Sequence, residues 1–142
     1  MTEQITVHAT CVAVDGKGVL LRGPSGAGKS DLALRLIEDG GLLVSDDQVV
    51  LCAQQNRVIA SPPTSLAGLL EIRGVGICSF EFNPACQVAA IIDLEPGVVP
   101  ERLPNLDEQK EKLLGINIVC LRLDPFQASA PAKVRALLKL SA

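Results

Sequence analysis

Eight consecutive residues, Gly23-Pro24-Ser25-Gly26-Ala27-Gly28-Lys29-Ser30, satisfy the pattern G-x-x-x-x-G-K-[ST] at every required position. Each position has a chemical task. Glycines let successive backbone N–H groups converge on phosphate oxygens without obstruction by side chains. A helix opening at the end of the loop adds unpaired amides and the positive end of its dipole. Lys29 is placed to reach the β- and γ-phosphates, and the Ser30 hydroxyl to ligate Mg²⁺. The segment therefore predicts a P-loop that binds ATP with magnesium. The context such a loop needs is also present: an apolar strand, Gly18 to Arg22, leads in, and an amphipathic helix, Ser30 to Asp39, leads out.

Magnesium prefers carboxylates and water in octahedral geometry, so an acid is expected at the end of a neighbouring strand. Leu42 to Asp47 and Val88 to Asp93 both end in one. The first offers the adjacent pair Asp46-Asp47. On a persisting strand only one of these faces the phosphates, whereas a bend brings both. One would act as general base toward an incoming hydroxyl and the other would serve the metal or Lys29; a solvated turn is the plainer reading. Glu71 and Arg73, two apart, share a strand face beside Gly74 and Gly76. An arginine there can stabilise a transferring phosphoryl group, and a glutamate can join Ser30 and Asp47 in a metal shell. An edge-strand ion pair explains them as well. His8 is the only histidine and lies in a strand, where a structural role is usual. Arg102 lies in a proline-broken loop, where a lone arginine is usually just solvated.

The elements that must position these groups follow from periodicity and punctuation. Ile5 to Val14 reads as one strand, followed by a glycine turn at Asp15 to Gly18. In the helix, Leu32, Ala33, Leu36 and Ile37 form the apolar face, and Asp31 and Arg35 are spaced for an i,i+4 ion pair. Gly40-Gly41 ends it. Leu42 to Ser45 is a buried strand. A hairpin runs from Gln48 to Ala60 around Gln54-Gln55-Asn56. Strands with a bend span Leu69 to Phe82, a further strand spans Gln87 to Leu94, and a last one Ile116 to Leu123. Leu106 to Leu114 reads as a short helix after a long loop. A final helix starts near Ser129, with Pro131 in its first turn and Lys133, Arg135 and Lys139 along one side. The sum is an α/β domain over residues 1–142, a mixed β-sheet flanked by helices.

Composition narrows the function. Of 142 residues, three are Phe and none is Trp or Tyr, so the core is aliphatic and there are few platforms for stacking nucleic-acid bases. A formal net charge of −3 supplies no general attraction for nucleic acid or anionic membrane. No apolar run is long enough to span a membrane, and the first residues lack an export-signal pattern. The five Cys are scattered without a CxxC pair, which predicts small buried hydrophobes in a reduced cytoplasm rather than a disulfide framework.

Taken together, these segments resemble the C-terminal catalytic domain of the HPr kinase/phosphorylase family. The similarity rests on His8 before Val12-Ala13-Val14-Asp15-Gly16, the lead-in Gly18-Val19-Leu20-Leu21, and Gly26-Ala27-Gly28-Lys29-Ser30-Asp31. It also rests on the strand ending in Asp46-Asp47 and on Leu70-Glu71-Ile72-Arg73-Gly74-Val75-Gly76-Ile77, which is similar to the family signature. The resemblance implies a P-loop kinase fold related to phosphoenolpyruvate carboxykinase. It implies phosphorylation of a serine on the phosphocarrier HPr, and phosphorolysis of phosphoserine-HPr with release of pyrophosphate. Asp46 then matches the catalytic acid/base, and Asp47 assists the metal or Lys29. Ser25 lies where the loop holds a β-phosphate or free phosphate, Glu71 and Arg73 match the signature's charges, His8 matches an active-site histidine, and Arg102 the arginine of a loop that contacts the protein substrate. A cytoplasmic homo-oligomer, hexameric in the family, is implied too. The chain reads as a short form that starts at the catalytic domain, and Leu123-Asp124-Pro125-Phe126 onward departs from the family's Pro-Gly-Arg-Asn stretch. A small-molecule P-loop kinase and a nucleotide-regulated module without turnover are the competing classes.

Overall fold

Strand alternation decides the architecture. The computed structural model describes residues 3–140. Its chain begins with β1 (Gln4–His8), β2 (Thr10–Val14) and β3 (Lys17–Arg22). In β2, Val12 and Val14 join one core while Cys11 and Ala13 join another, as a period of two requires. In β3, Val19 and Leu21 face the first core and Leu20 the second. The central sheet is thus buried on both faces.

Two helices, α1 (Lys29–Glu38) and α2 (Ala130–Leu140), cover the first face, where Leu32, Leu36, Val134 and Leu137 share one cluster. The second face is covered by strands of the curled sheet itself. The remaining strands are β4 (Leu42–Ser45), β5 (Gln48–Gln54), β6 (Arg57–Ser61), β7 (Leu69–Ile72), β8 (Gly76–Ser79), β9 (Cys86–Leu94), β10 (Lys110–Leu113) and β11 (Ile116–Leu123). Nine of the strands form one sheet in the order β1-β5-β6-β9-β3-β2-β4, with β11 also on β9 and β10 on β11. β7 and β8 make a separate two-stranded hairpin.

β9 is the junction. One edge runs parallel to β3; the other starts antiparallel to β6 and continues parallel to β11. The change of phase is made by an extra residue. Gly18 faces Val88 but Val19 faces Ala90, so Ala89 is bulged and Val88 and Ala90 point into different cores.

Two expectations are corrected. Ile5 to Val14 is two strands broken at Ala9, because β1 leaves the central sheet to pair with β5, and the Ala9 N–H donates to the Asp47 carbonyl (3.2 Å). Leu106 to Leu114 is not a helix. The Asn105 carbonyl accepts from the N–H groups of Glu108 and Gln109 in a turn, and β10 then pairs antiparallel with β11. The hairpin at Gln55-Asn56, the Asp31–Arg35 pair (3.1 Å) and the strands at Leu42 and Ile116 stand where the sequence puts them. No helix among the described residues is long and apolar enough to cross a membrane.

Candidate active site

β3 and α1 hold the glycine-rich loop between them. Gly28 caps α1 with a φ of 98°, a left-handed conformation that glycine adopts without strain. It also has no room for a side chain: a Cβ there would lie 2.9 Å from Pro125 Cγ and 3.1 Å from Phe126 Cζ. Lys29 is buried, with its Nζ donating to the carbonyl oxygens of Gly23 (2.5 Å) and Pro24 (3.1 Å). The ammonium therefore lies across the loop that carries it.

Asp46 is 9% exposed and heavily engaged. Its Oδ1 accepts from the hydroxyls of Thr10 (2.9 Å) and Ser30 (3.1 Å), and its Oδ2 from the backbone N–H of Glu71 (3.2 Å). One carboxylate so joins β2, the P-loop and β7. Asp47 is different. Its φ is 70°, and the Gln48 N–H donates to the Asp46 carbonyl (2.8 Å) around it, a three-residue turn. That bend is what lets both aspartates line the same cleft. The Asp47 side chain is 64% exposed, and its Oδ1 lies 2.8 Å from His8 Nε2.

A cleft of about 390 Å³ gathers His8, Ser25, Gly26, Gly28, Lys29, Ser30, Asp46, Asp47, Glu71 and Arg73. Of the predicted loop residues, Ala27 is buried in the helix-side core and Gly23 and Pro24 meet Lys29 through their carbonyls. Arg102 is not brought to this cleft; it lines a separate cavity of about 350 Å³ beside Lys133 and Leu137. Sequence reasoning missed Thr10 and Phe126. Thr10 was legible in principle, lying two residues from His8 along an extended segment. Phe126, another lining residue, follows the last parallel strand, and the carboxyl ends of such strands are where ligands bind.

Asp93 lies outside the cleft, in a different polar cluster. Arg22 forks onto Asp93 (2.7 and 3.0 Å) and onto Glu111 (2.5 and 2.8 Å), with Cys120 Sγ 3.4 Å from the Asp93 carboxylate. Burial pushes the Asp93 carboxyl up, but the hydrogen bonds and charge of Arg22 outweigh it and hold it below the usual range. Burial first, and then the Asp93 charge, push the Cys120 thiol up to about 12.

Magnesium fits these donors in one particular way. Among the described residues no three His, Cys, Asp or Glu side chains converge on a point that could hold a metal ion. Ser30 and Asp46 offer a hydroxyl and one carboxylate, the sparse protein set with which Mg²⁺ is held alongside phosphate oxygens and water.

The chain is similar to several HPr kinase/phosphorylase proteins. It is 36% identical over 132 residues to HPr kinase/phosphorylase of Caldicellulosiruptor bescii, covering 85% of this chain and 42% of the relative. It is 39% identical over 123 residues to HPr kinase/phosphorylase of Geobacillus thermodenitrificans, covering 79% and 40%. The chain thus spans less than half the length of these relatives. Its fold matches the structure of the HPr(Ser) kinase/phosphatase from Coxiella burnetii with a TM-score of 0.82 and 29% identity, covering 96% of this chain and 95% of that one. Residues 1–132 match the model of the HPr serine kinase C-terminal domain, and the chain belongs to that family.

Proposed function

We propose that this chain carries an ATP- and Mg²⁺-dependent protein serine kinase activity directed at an HPr-type phosphocarrier, with phosphorolysis of the phosphoserine as the reverse activity. The observation that carries this reading is the Ser30–Asp46 hydrogen bond, with the exposed Asp47 one residue on. It joins a phosphate loop to a pair of carboxylates at a strand end, which a binding module without turnover does not need.

Hydrogen bonding favours exchanging the two roles given above. Asp46, fixed by three donors and touching Ser30, suits the metal side of the site together with Glu71. Asp47, open to the cleft and partnered by His8, suits proton transfer, because a general base must reach the incoming hydroxyl. Asp47 takes the proton of the acceptor serine as its oxygen bonds to the γ-phosphorus and the bond to the β–γ bridging oxygen breaks, leaving ADP. His8 holds the carboxylate in place. In reverse, a hydrogen phosphate gives its proton to Asp47 as its oxygen bonds to the phosphoserine phosphorus; the bond from that phosphorus to the serine oxygen breaks, pyrophosphate leaves, and Asp47 passes the proton to the serine oxygen. When bound, Mg²⁺ supplies charge neutralisation for the phosphates. Lys29 and Arg73 hold phosphoryl oxygens and stabilise their charge. Arg102, remote from the cleft, suits a contact with the protein substrate. Five free thiols fit a reducing cytoplasm, and a homo-oligomer is part of the reading.

Incubation with labelled ATP, Mg²⁺ and HPr is expected to give acid-stable label on HPr. Asp47→Asn should lower transfer by about a hundredfold or more with ATP binding retained. Asp46→Asn should instead raise the Mg²⁺ concentration needed for half-maximal transfer. If Asp47→Asn transfers normally while Asp46→Asn is dead at every Mg²⁺ concentration, the roles are the other way round.

A further inference from the structure

Phe126 has no part in the chemistry above, yet it is built into the cleft. It lines the same cavity as Lys29 and Ser30 and is 57% exposed. Of the three phenylalanines in a chain without Trp or Tyr, it is the one that lines this cleft. Its position is also fixed on several sides. Its N–H donates to Asp124 Oδ1 (3.0 Å), and the Arg35 guanidinium of α1 donates to the carbonyls of Pro125 and Gln127, the latter at 3.2 Å. Its ring edge rests against Gly28 at the start of the same helix. One helix thus carries both the phosphate-binding amides and the residue that clamps the ring beside them. Asp46 reaches the loop through Ser30, with Asp47 lining the cleft beside it, whereas Phe126 reaches the loop through Gly28, so the cleft has an acid wall and an aromatic wall.

We infer that Phe126 is the platform on which the base of the nucleoside triphosphate stacks, while the acceptor approaches from the side of Asp47. The inference rests on the nucleotide-binding reading and adds the base subsite to it. Stacking on an aromatic ring is available to any base and adds affinity that a bare polyphosphate cannot gain. The ring stands at the carboxyl end of the parallel strand β11, on the rim where open α/β sheets receive ligands.

The absence of Trp and Tyr gives a direct test. In Phe126→Trp the introduced indole is the sole tryptophan, and its emission is expected to change on titration with Mg²⁺-ATP but not with Mg²⁺-tripolyphosphate. Phe126→Ala is expected to weaken ATP binding by roughly tenfold and to leave tripolyphosphate binding unchanged. Equal losses for both ligands mean that the ring only shapes the loop, and the inference falls. It falls too if wild-type protein binds ATP no more tightly than tripolyphosphate, although the phosphate-loop reading then survives. Failure to bind either ligand overturns both.

Discussion

A carboxylate residue at a φ of 70° occupies backbone space in which L-residues are strained, and Asp47 does so at the mouth of the cleft. Replacing it by glycine removes both the strain and the carboxylate. Asp47→Gly is expected to stabilise the fold by up to about 1 kcal/mol, a rise of roughly 2–4 °C in melting temperature, while transfer is lost. A fall in melting temperature would show that the His8 contact outweighs the backbone term. Gly28 is the opposite case, since neither its backbone angle nor its surroundings admit a methyl group. Gly28→Ala should displace Pro125 and Phe126 and weaken ATP binding by at least tenfold, about 1.4 kcal/mol, measured by calorimetry. Binding at the wild-type level would mean the loop relaxes freely.

Among the elements, four strands meet at one side chain. Arg22 of β3 binds Asp93 of β9 and Glu111 of β10, with Cys120 of β11 alongside. The cluster keeps about a third of its surface in water, so its worth is nearer 1–2 kcal/mol than that of a fully buried network. Arg22→Met should lower stability by that amount, read from urea unfolding. The pH dependence follows from the depressed Asp93 carboxyl. Its contribution is complete above the ordinary value of 3.8 and disappears as pH falls through the lower folded value. The gap between wild type and Arg22→Met should therefore be wide at neutral pH and close below about pH 4. This cluster also explains which parts of the fold were legible. The strand–loop–helix around Lys29 is local, and so is the Gln55-Asn56 hairpin, so periodicity and turn residues suffice for both. Lys110-Glu111-Lys112-Leu113 has good helix formers, yet it is a strand because β11 offers an edge and Arg22 draws in Glu111. Asp93 reads as a metal candidate until its partner, 71 residues away, is known. The hydrogen bonds that fix Asp46 were hidden for the same reason, since Thr10 and Glu71 reach it only across the fold.

At the scale of the whole molecule, thiols take the place of aromatic acids. The chain has no tyrosine, and Cys11, Cys86 and Cys120 are all pushed above their ordinary value of 9.0, chiefly by burial. The folded protein therefore retains protons that the unfolded chain releases, and stability should decline as pH rises above about 9. Cys11→Ala should flatten that decline; an unchanged slope of melting temperature against pH between about 8 and 11 would remove the thiol from the account. Loss of packing in the strand-covered core is a separate matter. Leu51→Ala, at a fully buried position, should cost about 2–5 kcal/mol and leave ATP affinity intact at temperatures where the variant is folded.

The junction at β9 has a further consequence during synthesis. β3 finds its first partner, β2, across a short turn, but its second comes only with residues 86–94. A nascent chain therefore carries the phosphate loop on a strand with one open flank while some sixty residues are still to be added. Open flanks invite pairing with the wrong neighbour. A chain truncated before residue 86 would keep that flank open and should associate with its own kind, whereas one released after residue 123 has β9 to cover it.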